Sequence, residues 1–267
     1  LVKTSACNYY GKDVTQADAE EFYNKMKKPD EAEPVMYGLN SRLVKENGKV
    51  VEKVWRSGGL YGKAIDKIIY WLEKAEPYAE NPQQAEVIKK LVEFYKTGDL
   101  KTFDDYSILW VKDTESRVDF TNGFTESYGD PLGMKASWES IVNFKDIAAT
   151  ERTKKLSANA QWFEDNSPVD GRFKKEKVKG ISAKVITAAI LGGDLYPSTA
   201  IGINLPNSNW VRKEYGSKSV TIGNITDAYN KAAHGNGFLN EYVIDKSTLD
   251  NRSEERRVGK ECVCECR

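Results

Sequence analysis

The segment FTESYGDPLG, at residues 124–133, carries side chains that could hold a charged group. If this segment is extended, Glu126 and Tyr128 lie on the same side, because side chains repeat every two residues along a strand. A carboxylate and a phenol would then face one ligand. The same segment offers Glu126 and Asp130 as the carboxylate pair of a glycosidase, an interpretation that no other residue supports.

A second segment, IGINLPN at residues 201–207, adds a glycine and two amides. Gly202 allows close approach of the backbone, while Asn204 and Asn207 supply carboxamides beside the turn that Pro206 fixes. On spacing alone, the two segments are more simply interpreted as an edge strand and an ordinary turn. A functional interpretation therefore needs further support.

The sequence shows no clear signature of a metal site or of an activated nucleophile. Zinc sites are usually marked by two histidines at helical spacing or by cysteines two residues apart. The one histidine, His234, lies in AAHGNGF, where a solvated or capping position is the simpler interpretation. Cys262, Cys264 and Cys266 alternate with other residues, unlike a zinc knuckle. With one imidazole and no G-x-S-x-G elbow, nucleophilic catalysis is not indicated, and we predict that this chain holds no metal.

The overall composition excludes several classes of partner. Of the 267 residues 40% are hydrophobic, enough for a sizeable core. Basic and acidic residues each number 40, so no excess positive field would hold a phosphate backbone. The longest apolar run, residues 185–191, is far shorter than the roughly 20 residues that span a bilayer. We expect neither a nucleic-acid partner nor a membrane.

The cysteines and the two ends of the chain bear on its origin. Apart from Cys7, the cysteines lie in the last six residues, so we expect a reducing compartment, the cytoplasm. The first residue is Leu1, which leads us to expect that the native N-terminus is missing and leaves a lost signal peptide open. From Asn251 the sequence becomes dense in charge and cysteine, and we interpret residues 251–267 as a non-native tail.

The first 60 residues predict a helix and a hairpin. Thr15 can cap an amphipathic helix over residues 15–28, which Pro29 stops. Asn47 and Gly48 lie between β-branched runs and indicate a two-residue hairpin turn, since both positions need positive φ.

Two further helices are predicted before residue 100. Apolar residues at helical spacing indicate one over residues 61–76, which Pro77 ends. The next has Asn81 as its cap, Pro82 in its first turn and Gly98 as its stop. We expect these helices to pack as an antiparallel pair.

Beyond Ser107 the residue composition becomes typical of strands. The runs YSILWV, SRVDF and SWESIVNF are rich in aromatic and β-branched residues and predict three strands. In the third, Trp138, Ser140, Val142 and Phe144 alternate with other residues, as expected of a half-buried strand.

The remaining elements are a mixture of helix and strand. A charged helix is predicted from about Asp146 to Trp162. The segment VKGISAKVITAAI has the apolar and β-branched composition of a strand. TAIGIN predicts a short strand that Pro206 ends, and residues 226–233 suit one more helix. We find no internal repeat, which excludes solenoids and propellers.

Four blocks of sequence carry a resemblance to a known family. They are YGLNSRLVKENGK, ILWVKDTESRVDFTNGFTESYGDPLGMKASWESIVNFKD, NAQWFEDNSPVD and GINLPNSNWVRKEYGSKSVTIGN. In this order they closely resemble the bacterial branch of the dipeptidyl peptidase III family, from about Tyr9 to Tyr242. Several long blocks in order are far more specific than a short motif.

The resemblance implies an α+β fold that is part of a two-lobed peptidase. One lobe of the family has a β-barrel core with helices, and the other is mainly helical and holds zinc. This chain would form mostly the barrel lobe, with a helical excursion into the other. The implied segments are residues 1–146 (barrel lobe), 147–187 (excursion), 188–230 (barrel lobe with the substrate strand), 231–250 (start of the zinc lobe) and 251–267 (tail).

The resemblance also implies roles for residues of the two segments above. Glu126 resembles the carboxylate that pairs with the α-ammonium of a peptide substrate, and Asn204 and Asn207 resemble the family's amine-binding asparagines. Tyr128 resembles the catalytic tyrosine whose hydroxyl reaches the scissile carbonyl and supports the oxyanion beside zinc. Animal members usually carry arginine where Gly129 stands, so only the flanking positions are carried over.

The strand around Ile201, Gly202 and Asn204 resembles the one along which the peptide backbone pairs. The implied substrate is an oligopeptide with a free N-terminus, from which a dipeptide is removed. The family's zinc ligands lie beyond the matched blocks. Zinc is therefore expected in the full-length enzyme, and this chain alone is expected to be inactive. The alternative is a non-enzymatic module that binds peptides or carbohydrates, which the 14 tyrosines and 6 tryptophans could suggest.

Overall fold

A computed structural model describes residues 2–5, 7–178, 181–197 and 199–232 of the chain. The fold combines helices with two antiparallel or mixed sheets, which confirms the predicted α+β class. The helices are α1 (Gln16–Asn24), α2 (Gly62–Ala75), α3 (Pro82–Thr97), α4 (Leu100–Lys112), α5 (Ile147–Ala158), α6 (Ala160–Asn166), α7 (Asn209–Tyr215) and α8 (Gly223–Ala232). The strands are β1 (Ser41–Glu46), β2 (Lys49–Val54), β3 (Val118–Glu126), β4 (Ser137–Lys145), β5 (Ile181–Gly193), β6 (Gly202–Leu205) and β7 (Ser217–Ile222).

Helix α1 begins where the sequence predicts and ends early. Thr15 accepts a hydrogen bond from the backbone N–H of Asp18, and the Asp18 carboxylate accepts one from the Thr15 N–H. This capping box satisfies two of the N–H groups that a helix start leaves without partners. The helix ends at Asn24, four residues before the predicted end at residue 28.

The predicted hairpin and the third helix are confirmed. Asn47 and Gly48 have φ of 50° and 77°, and they join β1 to β2 as an antiparallel pair. The Asn81 side chain caps α3 by accepting from the Gln84 N–H at 2.9 Å, and Gly98 ends the helix with φ of 71°. Helices α2 and α3 contact each other, as expected.

The prediction of a strand for YSILWV is wrong, because these residues lie in α4. The Asp99 side chain caps α4 by accepting from the N–H groups of Lys101 and Thr102. The buried residues Phe103, Tyr106 and Trp110 repeat at helical spacing and pack in the main core. Aromatic and β-branched composition predicted a strand, but the cap and the helical period decided the outcome.

The prediction of a half-buried strand with alternating residues is confirmed for β4. The buried residues are Glu139, Ile141 and Asn143, whereas Phe144 is 51% exposed. Trp138, Ser140 and Val142 are only half-buried. Polar residues thus occupy part of the inner face of this sheet. The predicted charged helix divides at Asn159 into α5 and α6.

The larger sheet has the strand order β3-β4-β5-β7-β6, with only β5 and β7 parallel. Neighbouring strands lie about 4.8 Å apart, so β3 and β7 would be about 14 Å apart in a flat sheet. Lys218 Nζ on β7 nevertheless lies 2.8 Å from Asp119 Oδ2 on β3. The sheet therefore curls, and its two edge strands, β3 and β6, approach each other.

Helices α1 to α4 and the hairpin pack together with residues of the curled sheet to form the main core, which includes Phe94, Phe124 and Leu205. A smaller cluster of Ile141, Ile186, Leu195, Val220 and Ile222 fills its interior. The implied lobe boundaries stay a prediction, although β5 joins the sheet at residue 181, before the boundary at 187. Every helix in the described ranges is too short or too polar to cross a bilayer.

Candidate functional site

Glu126 is the last residue of β3, directly after a bulge in the pairing of β3 with β4. Burial raises the pKa of its carboxyl group, the Tyr128 N–H lowers it, and the negative charge of Asp194 raises it further. The Tyr128 N–H donates to Glu126 Oε1 at 3.4 Å. The carboxylate is thus half-buried, and the backbone that follows turns around it.

Tyr128 lies in that turn and not on the strand, and its side chain is 94% exposed. The predicted alternation of Glu126 and Tyr128 on one face of a strand is therefore wrong, because the strand ends at Glu126. The chain reverses here through the Asp130 N–H, which donates to Ser127 O at 3.2 Å. Tyr128 remains close to Glu126 in sequence but is presented to solvent.

Strand β6 contains Gly202 and Asn204 and pairs antiparallel with β7, as TAIGIN predicted. Ile201, just before it, accepts from the Ile222 N–H at 2.8 Å. Among the described strands β6 is at the end of the sheet, so one of its edges is free. Asn204 Oδ1 is a buried acceptor without a hydrogen-bond partner within the described residues. An acceptor in this condition can be satisfied by a ligand that donates.

Asn207 joins the two segments that the sequence singled out. Its Nδ2 group donates to the backbone oxygen of Thr125, the residue before Glu126, at 2.8 Å. Four strand spacings separate β3 from β6 in a flat sheet, about 19 Å, so this bond exists only because the sheet curls. The structure thereby brings Asn207 beside the Glu126 end of β3.

Two further carboxyl groups act on Glu126 and were not identified from the sequence. Glu139 on β4 is 5% exposed, and burial raises its pKa, while Glu126 and Asp194 raise it further through their charges. Thr125 Oγ1 donates to Glu139 Oε1. Glu139 lies on the buried face of β4, which the alternation of residues alone did not identify. An assignment of that face would have pointed to Glu139 as a buried acid.

A recess lies between α4, the edge of β3 and the turn after β6. The space inside it that the centre of a water molecule can occupy is small, about 30 Å³. Its walls are mainly apolar, and its polar lining includes Asp104, Thr125, Asn207 and Ser208. We call it the α4 recess. Because Thr125 and Asn207 line it, it opens beside Glu126.

No group of three or more His, Cys, Asp or Glu side chains in the part of the chain described here could hold a metal ion. His234 and the three C-terminal cysteines lie outside the described residues, as does the segment interpreted as a tail. The described residues near Glu126 supply carboxylates and amides, which bind a cationic donor better than they build a tetrahedral zinc site.

Comparison with known proteins gives consistent matches. The model of "Peptidase family M49" matches residues 44–259. Dipeptidyl peptidase 3 of Dictyostelium discoideum is 33% identical over 173 residues, which are 64% of this chain and 24% of that protein. Dipeptidyl peptidase 3 of Homo sapiens is 29% identical over 167 residues, 62% of this chain and 22% of that protein.

A solved structure of DPP III from Caldithrix abyssi has a similar fold, with a TM-score of 0.69 and 24% sequence identity. The match covers 84% of this chain and 42% of that one. The chain thus spans about a quarter of the length of the curated relatives it matches.

Proposed function

Because the chain belongs to peptidase family M49, we propose that it is the substrate-holding part of a dipeptidyl peptidase that removes dipeptides from free N-termini. The observation that carries this proposal is the bond from Asn207 Nδ2 to Thr125 O, which places an amide against the backbone one residue from the half-buried Glu126. A carboxylate and amides in a partly closed groove suit an ammonium group. The activity would belong to a longer protein.

The α-ammonium of the peptide is proposed to pair with Glu126. Nearby Asp194 and Glu139 add negative charge, which favours a cation and disfavours an anion at this point. Asn204 Oδ1, buried and without a partner in the described chain, would accept one of the ammonium hydrogens. A peptide whose N-terminus is capped lacks these donors and should bind poorly.

The backbone of the peptide is proposed to pair along the free edge of β6, from Ile201 to Asn204. Main-chain hydrogen bonds of this kind give affinity with little demand on side chains. Gly202 favours such close approach because it has no side chain to obstruct it; its α-carbon is part of the exposed edge. Tyr128, already exposed, would direct its hydroxyl at the scissile carbonyl as the catalytic donor.

Zinc is proposed for the full-length enzyme and not for the described residues. The carboxylates and amides at the site do not fit a zinc ligand set, so the metal would be held by other parts of the longer protein. The contribution of this chain is to bind and orient the peptide. We infer a cytoplasmic location from the cysteine usage.

We call the proposed pairing of the α-ammonium group with Glu126 and Asn204 the ammonium clamp. Binding of Ala-Ala amide to the 267-residue chain tests this clamp. Glu126→Gln keeps the shape but removes the charge, and we expect it to weaken binding at least about tenfold, because hydrogen bonds to charged groups contribute about 1.5–3 kcal/mol. Acetylation of the dipeptide amide should have a similar effect. Isothermal titration calorimetry measures both.

The matched control is Glu115→Gln, an exposed glutamate just before β3. It should leave the affinity unchanged. Equal affinity for free and acetylated dipeptide amides would exclude the ammonium clamp.

A further inference from the structure

The solvent-facing side of α2 carries a row of three lysines. Lys63, Lys67 and Lys74 are all exposed, and their spacing along α2 places them within about 40° of one another around the helix axis. Lys63 and Lys67 lie one turn apart, where two like charges repel each other and weaken an isolated helix. None of the three forms an ion pair with a carboxylate in the part of the chain that the structure describes. We call these residues the lysine row.

The acids of α2 that flank the lysine row have other partners. Glu73 Oε1 lies 2.6 Å from Lys96 Nζ on the neighbouring helix α3. Asp66 Oδ1 accepts a hydrogen bond from Ser57 Oγ at 2.6 Å. The lysine row is therefore left to interact with groups from outside α2.

Two exposed aromatic rings border the lysine row. Tyr70 is 52% and Trp71 is 68% exposed, and their ring centroids lie 5.1 Å apart with the planes at 79°. Lys74 Nζ lies 5.7 Å from the centroid of the Tyr70 ring, so the charged and aromatic groups form one surface. Exposed tryptophan and tyrosine side chains of this kind often anchor a protein partner. We call the lysine row together with Tyr70 and Trp71 the α2 face.

The chemistry of the α2 face disfavours three occupants. A second copy of this chain would set lysines against lysines, because a twofold contact presents the same patch from both sides. A helix that lies on a membrane turns an aliphatic face to the lipid, but Ile65 and Ile69 of α2 are buried in the protein core. Successive bases of a single-stranded nucleic acid stack on aromatic rings, and Tyr70 and Trp71 meet edge to face, with no parallel pair to receive them.

An acidic polypeptide suits both parts of the α2 face. Its carboxylates can pair with the lysines, and an apolar side chain can cover the two rings. From Lys63 to Lys74 the row is about 16 Å long, the length of about three helical turns or five extended residues. A short linear segment is long enough to contact the whole row.

We propose that the α2 face docks an acidic segment of another protein, which pairs its carboxylates with the lysine row and sets an apolar side chain against Tyr70 and Trp71. No residue of the ammonium clamp belongs to the α2 face. The proposal therefore does not rest on the proposed peptidase function.

A fluorescein-labelled peptide of four Glu-Glu-Phe repeats tests the docking site. It is titrated into the 267-residue chain and followed by fluorescence anisotropy. We expect it to bind at least about tenfold more tightly than four Lys-Lys-Phe repeats, which reverse the charge, or four Glu-Glu-Ser repeats, which remove the apolar anchor. Equal affinity for the acidic and the basic peptide would overturn the proposal.

The contribution of the lysine row is measured with all three of its lysines changed to glutamine. This triple variant should weaken binding of the Glu-Glu-Phe peptide about tenfold, because each exposed ion pair contributes little and the row supplies three. The matched control changes Lys25, Lys27 and Lys28 to glutamine, three exposed lysines at the end of α1, and alters the net charge equally. Equal weakening in both triple variants would overturn the proposal.

The contribution of the aromatic rings is measured with Trp71→Ala. It should weaken binding of the Glu-Glu-Phe peptide about tenfold, as the loss of a tryptophan at the centre of an interface does. Trp162→Ala is the matched control, since Trp162 is 59% exposed and meets Phe163 edge to face at the same centroid distance of 5.1 Å. An unchanged affinity in Trp71→Ala would overturn the proposal.

A charge-reversed variant assigns the peptide to this surface. With the three lysines of the row changed to glutamate, the Glu-Glu-Phe peptide should no longer bind and the Lys-Lys-Phe peptide should bind in its place. Circular dichroism confirms that the variant is folded. Retained binding of the acidic peptide would place it elsewhere on the molecule and overturn the proposal.

The other occupants are tested with phosphatidylserine vesicles, oligodeoxythymidine and sedimentation of the chain alone. We expect Trp71→Ala to change none of these three measurements. Vesicle or oligonucleotide binding that Trp71→Ala abolishes, or a dimer that it dissociates, would assign the α2 face to that occupant and overturn the proposal. Loss of peptide binding in the full-length enzyme would show that its own remaining segments cover the α2 face, with the same consequence.

Discussion

Lys135 is fully buried, and its ammonium group lies among oxygens from three parts of the chain. Its Nζ donates to Ser41 Oγ at 3.0 Å, to Gly38 O at 3.3 Å and to Tyr23 Oη. Burial lowers the pKa of Lys135 to about 8, although the negative charges of Glu52 and Asp130 partly oppose this. These hydroxyls and carbonyls compensate only part of the hydration that the ammonium loses.

The free energy of unfolding should therefore rise between about pH 8 and pH 10. In that range the unfolded chain still holds the lysine proton, whose ordinary pKa is 10.5, whereas the folded chain has released it. The unfolded state binds more protons, so stability increases with pH, by up to about 3 kcal/mol for this residue. Above pH 10 the raised pKa values of Tyr10 and Tyr23 reverse the trend.

Urea denaturation at a series of pH values measures this dependence. Lys135→Met should flatten the rise, while Lys184, whose pKa burial also lowers to about 8, keeps its own share. Lys63→Met replaces an exposed lysine of α2 and should leave the slope as it is. The same slope from pH 8 to pH 10 with and without Lys135→Met would show that the folded Lys135 keeps its proton.

At the scale of elements, the end of β5 depends on a close contact with β4. Gly193 has φ of 62°, and a Cβ atom there would lie 2.1 Å from the Trp138 carbonyl oxygen. Gly193 is followed by Asp194, whose N–H donates to the same oxygen at 3.0 Å. A side chain at this position would push the two strands apart.

Gly193→Ala should accordingly destabilise the protein by several kcal/mol, about 1 kcal/mol from the positive φ and the rest from the contact. Gly133→Ala provides the control, because Gly133 has the same φ of 62° with nothing within 4 Å of an added Cβ. Denaturant unfolding of both variants separates the two contributions. Equal losses would mean that β4 and β5 shift apart at little cost.

The sequence predicted those elements whose ends carry local signals. Asn47-Gly48, the Asn81 cap and Gly98 each determine the conformation of the backbone next to them. The turn or helix end that they predict therefore does not depend on distant contacts. Residues 106–111 and the face of β4 could not be predicted in this way. Their outcome depends on which side chains pack against them, and Glu139 and Asn143 are buried on the inner face of the curled sheet.

At the scale of the whole molecule, one buried ion pair spans the curled sheet. Lys218 is 0% and Asp119 is 6% exposed, and their charged atoms lie 2.8 Å apart across the interior. Trp110 supports both, with its Nε1 donating to Asp119 Oδ1 at 3.1 Å and its ring 4.3 Å from Lys218 Nζ. The pair joins β3 to β7 without a strand bond between them.

Lys218→Met should destabilise the protein by about 3–5 kcal/mol, because it leaves Asp119 buried without its counterion. The double variant with Asp119→Leu should recover most of that loss, since Trp110 Nε1 also donates to Phe120 O at 2.8 Å and keeps a partner. A double-mutant cycle in urea measures the coupling. Losses that simply add would argue against a direct interaction.

The candidate site could be predicted in its parts but not as an arrangement. Glu126 and Asn207 were identified in separate segments, about 80 residues apart, and the resemblance assigned them to one ligand. What brings them together is the curvature of five strands, which no local pattern encodes. Asp104 and the α4 recess were missed because residues 106–111 were interpreted as a strand.

The bond from Asn207 to Thr125 also limits how many hydrogen bonds the Asn207 amide can make to a ligand. A carboxamide has two N–H donors and one acceptor oxygen, and one N–H is already committed to bridging the sheet edges. A ligand that uses only the remaining N–H or the oxygen leaves the Asn207–Thr125 bond intact. A ligand that needs both N–H groups must break that bond, so ligand occupancy and the width of the gap between β3 and β6 would change together.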